Sequence, residues 1–539
     1  MKENCKKWIR TPECWLMLTV LLGSLARLLY LGSRPMGLHQ DEAYSAYNSW
    51  AVMHYGLDSL GYTRPVYYTA WGSGMSVLYS YFTMPFFALF GVSVTTIRLP
   101  QAILGCLSIP AAYGLGKEMF RSKWMGTLFA FFLAINPWHI QQSRFGMDCN
   151  LAVAMLLFAM FFFCRYLNGH LKSLWGAVLF WGLTLYCYAL TWLLIPLILV
   201  LCLIFFCKKI MFSRDFFLAF LLLFLMALPL LLFLAVNFGL IPEIRTKLFS
   251  IPKLPALRTE EMSLHTWVIK QRILSLIEML LKQYDDRWYI SNAKVGSYYY
   301  ISTPFVLLGL LYHLKIFFQW IFQKKELPVH FLLAIWFGAA FLVGCSIDSV
   351  YFHKVNYIHI PVILYGGIGI WWLGGLFKNK KTLFVTAMTC AYTACFGYYI
   401  YYQATYPIDY DAYGNPWVSH MNLYRYEDAL AYAQDLAVED ISVIALNYAN
   451  IMLHAQIPPD EFSETVTYAG DPRFMEVTRF GRYQIGALPP TDPEALEKDP
   501  VVYVYPHMTE NLFQELGYIT VHADACYGVA YREEIYGTD

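Results

Sequence analysis

The stretch GMSVLYSYFTMPFFALFG, residues 74–91, is apolar enough to enter a bilayer, and whether it crosses one sets the topology of the whole chain. A helical span needs roughly 20 apolar residues. Runs of that character also occupy residues 15–31, 97–116, 124–140, 150–167, 173–190, 192–207, 215–238, 298–318, 329–347, 355–377 and 382–402. Basic residues in short loops mark the cytoplasmic side. With residues 74–91 left out of the count, Lys117, Arg121 and Lys123, Arg165 and Lys172, Lys208, Lys209 and Arg214, Lys315, Lys324 and Lys325, and Lys378, Lys380 and Lys381 all fall inside, together with Lys2, Lys6, Lys7 and Arg10. Counting the stretch as a span sends every one of these clusters outside. Pro85 and the aromatics Tyr79, Tyr81, Phe82, Phe86 and Phe87 suit a segment that lies along the outer interface or re-enters. The expectation is an all-α polytopic membrane protein with about 11 transmembrane helices, its N-terminus cytoplasmic and its C-terminus outside.

Composition agrees. The chain is 58% hydrophobic and 14% charged, where a soluble domain carries roughly 25% charged residues. The net charge of +1 conceals a division: residues 403–539 hold 22 acidic and 6 basic residues, and the part before them holds 33 basic and 16 acidic. Residues 1–402 therefore read as a membrane domain with external loops 32–96 and 239–297, and residues 403–539 as a small, acidic extracytoplasmic α/β domain. In that tail, 424–436 has helical spacing and 441–446 is β-rich. Residues 501–505, 510–516, 518–522 and 527–532 suggest strand, helix, strand, strand. The basic start followed by residues 15–31 looks like a signal peptide, but the apolar stretch is too long for a signal core and no small-residue cleavage site follows, so it reads as a retained span. The 12 cysteines contain no CxxC pair and only Cys526 lies in the tail, which indicates neither a zinc site nor a disulfide framework. No glycine-rich nucleotide-binding string, internal repeat or basic patch of nucleic-acid type is visible.

The candidate chemistry collects on the external side. His39-Gln40-Asp41-Glu42-Ala43-Tyr44 opens the first external loop. A carboxylate at the lipid boundary can accept a proton from an attacking hydroxyl; alternatively Asp41 caps a short helix over 43–55 and Glu42 favours its first turn. External cations are few: Arg34, Arg64, Arg98, Arg144 and Lys354. Such cations can neutralise a lipid phosphate through charge-assisted hydrogen bonds or snorkel to ordinary headgroups, and Arg34 and Arg98 fit the second reading better. Asp148 stands four residues after Arg144, a spacing that pairs them if both lie on one helix. His353 and His359 lack metal-site spacing and read as satisfied interfacial histidines. Residues 283–289 form either part of an acceptor groove or a solvated turn.

In order along the chain, Asp41-Glu42-Ala43-Tyr44, Arg64-Pro65-Val66, Arg98-Leu99-Pro100, Asn136-Pro137-Trp138-His139 with Ser143-Arg144 and Asp148, and His353-Lys354-Val355-Asn356-Tyr357 resemble the polyprenyl-phosphate-dependent glycosyltransferases of the GT-C superfamily. The likeness is to the protein O-mannosyltransferase and aminoarabinose transferase type and covers residues 15–402. It implies transfer of a monosaccharide, with inversion, from a polyprenyl-phosphate donor to a hydroxyl of an acceptor protein, glycolipid or envelope polymer. It also implies Asp41 as catalytic base, Glu42 and Asp148 as the accompanying acids, and Arg64, Arg144 and Lys354 as contacts to the donor phosphate. Tyr44, His353, Asn356 and Tyr357 are implied as substrate-binding residues. Lys354 replaces a more usual arginine, and Arg64-Pro65-Val66 departs from a basic-Pro-Pro string. No cofactor is required, since fixed cations serve the phosphate; some relatives use a divalent metal, and that stays open. The implied partners are the lipid-linked donor, the bilayer of the plasma (inner) membrane and the acceptor, with no nucleic acid. A transporter or flippase of lipid-linked precursors is the rival, but transporters place ionisable residues at mid-membrane, whereas these spans hold almost no acids. A non-catalytic envelope assembly protein is the third reading, and it expects loss of Asp41 to be silent.

Overall fold

The computed structural model describes residues 11–35, 37–257, 266–285, 290–348, 350–377, 380–405, 425–436, 439–524 and 526–533. Lys2, Lys6, Lys7, Arg10, Lys378, Tyr424 and residues 286–289 of the 283–289 string lie outside them. Among the described residues six helices are long and apolar enough to cross a membrane: Val94–Phe120, Asp148–Leu167, Arg214–Asn237, Tyr300–Gln323, Asn356–Leu376 and Lys381–Ala404. The chain is a multi-pass membrane protein. Leu78–Phe90 is a 13-residue helix, about 20 Å long at 1.5 Å per residue, which is short of a hydrocarbon core of roughly 30 Å. Lys123–Ile135 and Ser173–Leu185, each expected to lie within a span, are equally short. The first of these stops where Asn136 leaves the helix and Pro137 begins a new one, as proline at a helix start does.

The structure divides into two compact units. One comprises Met1–Leu29, Leu99–Leu231 and Arg258–Tyr406; the other comprises Tyr30–Arg98, Leu232–Leu257 and Pro407–Asp539. This differs from the division by composition, because the first external loop and the tail cluster together.

In the first unit, the Asn356–Leu376 helix is the hub. It packs against Thr303–Gln323, Leu332–Gly344, Lys123–Ile135, Asp148–Leu167 and Lys381–Thr405, and every residue from Asn356 to Ile370 is buried. Small residues let backbones meet, which is how helices pack where lipid removes the hydrophobic drive. A Cβ at Gly369 would collide with the Phe305 carbonyl, and one at Gly309 with that of Tyr365. The Arg214–Asn237 helix instead shows an outer row of Phe217, Leu221, Phe224, Leu225 and Leu228, the face suited to acyl chains.

Among the described residues the second unit holds nine short strands. Ile244–Arg245 (β1) and Ser250–Ile251 (β2) form a two-stranded ribbon. Ile441–Val443 (β3), Thr467–Ala469 (β4), Glu476–Phe480 (β5), Tyr483–Ile485 (β6), Val502–Pro506 (β7), Ile519–His522 (β8) and Tyr527–Tyr531 (β9) form one sheet in the order β4-β5-β6-β3-β7-β9-β8. β3 runs parallel to β6 and β7 while the other pairs are antiparallel. Central strands are continuously buried (β3 and β7) and the β4 edge is exposed, as a sheet covered on both faces requires of its middle.

The first external loop is built into this unit. The Gln40–Tyr55 helix, buried from Glu42 to Val52, packs on Tyr448–Ala455 and Leu78–Phe90. Tyr47 donates to the Ile457 carbonyl at 2.7 Å, Asn450 to that of Leu38 at 2.9 Å, and the Met475 amide to that of Trp71 at 3.1 Å.

Candidate active site

The adjacent carboxylates Asp41 and Glu42 have opposite environments, and local chain chemistry decides which is which. The N-cap of the Gln40–Tyr55 helix is His39, not Asp41: its Nδ1 accepts the Asp41 amide at 3.1 Å, and the Glu42 carboxylate accepts the His39 amide at 3.1 Å, closing a capping box. Asp41 Oδ2 is 3.8 Å from His39 Nδ1. Glu42 is fully buried against Arg98, whose Nε donates to Oε1 and Nη2 to Oε2, both at 2.9 Å. The same guanidinium donates to the carbonyls of Pro35 at 2.7 Å, Gly37 at 2.8 Å and Leu31 at 3.3 Å. Arg98, expected among the lipid headgroups, is wholly enclosed and clamps the loop that carries the acids. Such a pair is costly to break, because the survivor is a buried charge with no counterion. Asp41 keeps 27% of its side chain exposed in the first helical turn.

Arg64 is exposed on a rigid mount. Its backbone is in the left-handed region at φ 36°, uncommon for a residue with a Cβ. Its amide reaches the Gly56 carbonyl at 3.2 Å, and the Val66 amide reaches that of Ser250 in β2 at 3.1 Å. Tyr44 is buried: its hydroxyl lies 3.1 Å from Ser59 Oγ and donates to the Thr69 carbonyl at 3.2 Å, and its ring meets Trp71 at 5.2 Å and Tyr448 at 6.3 Å. Asp58, not singled out from sequence, is fully buried, with Oδ1 accepting the amides of Leu60 at 3.0 Å and Tyr62 at 2.8 Å. Burial pushes its carboxyl up to about 7, against the pull of those amides and the Arg245 charge. The Asp-Ser-Leu-Gly turn it closes is the only sequence signal that could have found it.

The membrane unit holds the remaining predicted residues. Asp148 is buried at the start of Asp148–Leu167 and accepts the Cys149 amide at 2.6 Å. It does not share a helix with Arg144, since Pro137–Gln142 ends before Arg144. The Arg144 guanidinium reaches the carbonyls of Ala26, Arg27 and Leu29 at 2.9, 3.1 and 2.8 Å, at the end of Pro12–Leu28, where a cation complements the dipole. Asn356 and Asn150 are brought together: Asn356 Nδ2 donates to Asn150 Oδ1 at 2.9 Å. Asn150 also donates to the carbonyls of Gln142 and Phe145, and Gln101 to Gln142 Oε1 and the Asn150 carbonyl. Buried Arg27 joins the same end of the unit through the carbonyls of Gly23, Ala134 and Leu133 and through His139 Nδ1 at 2.7 Å. Buried polar networks within membrane helices are functional candidates by default. Neither Arg27 nor Gln101 was predicted, because a lone polar residue in an apolar run does not announce its partners.

Lys354 Nζ stands 5.7 Å over the Tyr351 ring, and the His353 ring stacks on Tyr351 at 6.0 Å. Asp285 fixes this loop by accepting the Phe352 amide at 3.0 Å. Tyr357 is buried, and its carbonyl accepts from Trp336 at 2.9 Å. His359 is satisfied by the Phe352 carbonyl at 2.9 Å and the Tyr298 hydroxyl, as a structural histidine would be.

Residues 75–233 match the profile of the family described as dolichyl-phosphate-mannose-protein mannosyltransferase, under a third of the chain. No curated protein matches. Among solved structures, ArnT from Cupriavidus metallidurans in the apo state is similar at a TM-score of 0.54 and 13% identity, over 98% of this chain and 99% of that one. The same enzyme bound to undecaprenyl phosphate gives 0.55 at 12% identity, over 96% and 97%. The archaeal oligosaccharyltransferase AglB from Archaeoglobus fulgidus, in complex with an inhibitory peptide and a dolichol-phosphate, gives 0.51 at 15% identity, over 82% of this chain and 63% of that one. At these identities the likeness is one of fold.

Proposed function

We propose that this protein is an inverting glycosyltransferase that moves a monosaccharide from a polyprenyl-phosphate donor to an acceptor hydroxyl on the extracytoplasmic face of the membrane. The observation that carries the reading is the asymmetry of the acidic pair. Glu42 is buried against Arg98 and the His39 amide, whereas Asp41 is the partly exposed carboxylate at a helix start. A single base suffices for inversion. The acceptor oxygen attacks the anomeric carbon, its proton passes to Asp41, and the bond from carbon to phosphate oxygen breaks to release polyprenyl phosphate. Glu42 positions Asp41 through the capping box.

The leaving group departs as an anion, so cations near it stabilise the transition state. Arg64, exposed on a fixed mount in the same unit as Asp41, is suited to that contact. Arg144 is engaged by helix-end carbonyls and acts through the fold. The structures similar in fold were solved with undecaprenyl phosphate and a dolichol-phosphate, which supports a long isoprenoid phosphate as the carrier class. The N-terminus is placed in the cytoplasm and the acidic C-terminal region outside, from the basic loop clusters. The reading requires no cofactor. Purified wild-type protein and Asp41→Asn, each given polyprenyl-phospho-sugars and a hydroxyl acceptor, test it: transfer by the wild type alone is expected, and equal transfer by both removes Asp41 from the base role.

A further inference from the structure

We propose that His507, Glu510 and His522 form a binding site for one divalent transition-metal ion of the zinc class in the C-terminal region. β7 and β8 both flank β9, and each pairs with it antiparallel, so their C-terminal ends lie at the same side of the sheet. His507 directly follows β7, Glu510 stands three residues on, and His522 ends β8. One donor atom from each of the three lies within 4.8 Å of the others. The two imidazoles are 4.1 Å apart between ring centroids, and His522 Nε2 is 2.7 Å from Glu510 Oε2.

The tautomer of His507 separates this cluster from an ordinary surface pair of histidine and glutamate. His507 Nε2 is 2.9 Å from the Asp524 carbonyl oxygen. A carbonyl can only accept, so Nε2 carries the hydrogen and Nδ1 presents a lone pair. That Nδ1 is shielded from solvent and has no hydrogen-bond partner among the described residues. A histidine with one ring nitrogen fixed by a carbonyl, leaving the other as a lone pair, is the usual arrangement around a bound metal. Two imidazole nitrogens and one carboxylate oxygen select borderline ions such as Zn²⁺ or Co²⁺ over Ca²⁺ and Mg²⁺, which take oxygen ligands. A tetrahedral site with bonds of roughly 2.0–2.1 Å needs donors about 3.3 Å apart. Closing to that separation asks for a small rotation of His522, whose side chain is 61% exposed and leaves a fourth position to water. The bound ion would tie the ends of β7 and β8 to the turn between them, independently of the reaction proposed above.

The test uses the full-length protein in detergent, stripped with a chelator and titrated with Co²⁺, then with Zn²⁺. The expected result is the visible absorption of a four-coordinate cobalt centre at one equivalent, displaced by Zn²⁺ and not by excess Ca²⁺ or Mg²⁺. His522→Ala, at an exposed position, should weaken uptake by at least tenfold, and Glu510→Gln should do likewise. Zn²⁺ should raise the thermal midpoint of the wild type and leave that of His522→Ala unmoved. Absence of the cobalt spectrum, or uptake by His522→Ala equal to that of the wild type, overturns the site.

Discussion

The second unit buries a full ion pair, Glu42 with Arg98, where the membrane unit buries the amides Gln101, Gln142, Asn150 and Asn356, keeps buried Asp148 at a helix start, and answers Arg27 with carbonyls and a histidine. The difference follows from the solvent each part was built for. An ionised carboxylate among lipid-embedded helices costs several kcal/mol, whereas amide hydrogen bonds there are worth about 0.6 kcal/mol on average. In the second unit one carboxylate, Glu42, serves the architecture, while its neighbour Asp41 stays partly exposed.

The sharpest way to break this contrast is to neutralise the two neighbours separately. Asp41→Asn should lower transfer by about a hundred- to ten-thousand-fold, the usual range for a lost general base, with the unfolding midpoint unchanged. Glu42→Gln should instead destabilise the protein by about 3–5 kcal/mol, because Arg98 is left as a buried cation, read as a lower thermal midpoint in detergent. If the two substitutions have interchangeable effects, the division of labour between them is wrong.

A pH measurement probes a second buried acid in the same unit. Asp58 has its carboxyl raised from 3.8 to about 7, so the folded state holds a proton that the unfolded chain has released. Stability from this group is complete below about pH 4 and declines as pH rises toward 7, then levels off. Asp58→Asn should remove that slope, an effect on the order of a few kcal/mol at pH 8, and a midpoint difference between the two proteins that does not vary with pH would refute it. The smallest effect belongs to the membrane unit. Asn356→Ala should cost about 1 kcal/mol, and a loss as large as that of Glu42→Gln would erase the contrast between the units.

Much of this was legible in the sequence, and the misses have physical causes. Apolar runs gave the membrane body, although the 13-residue helices Lys123–Ile135 and Ser173–Leu185 fall short of the spans assigned to them. Strands β3, β7, β8 and β9 were visible because buried strands are apolar throughout or alternate. β4, β5 and β6 were not, since β4 is exposed and β5 shows only two buried positions. The acidic pair was found, but its partner was not. An arginine opening a span reads as snorkelling, and nothing local ties Arg98 to Glu42 across the intervening loop. Histidine is an uncommon N-cap, so Asp41 was the natural candidate for that role until the geometry gave it to His39. The joining of the 32–96 loop to the tail was beyond composition, because single contacts such as Tyr47 to Ile457 leave no periodic trace.

The most direct measurement is the anomeric configuration of product made by purified protein from a panel of polyprenyl-phospho-sugars, followed in parallel for Asp41→Asn. The account predicts that at least one donor is consumed by the wild type, that the new linkage has the configuration opposite to the donor's, and that Asp41→Asn forms no product at the same protein level. Consumption of none of the donors, a retained configuration, or undiminished turnover without the Asp41 carboxylate would contradict it.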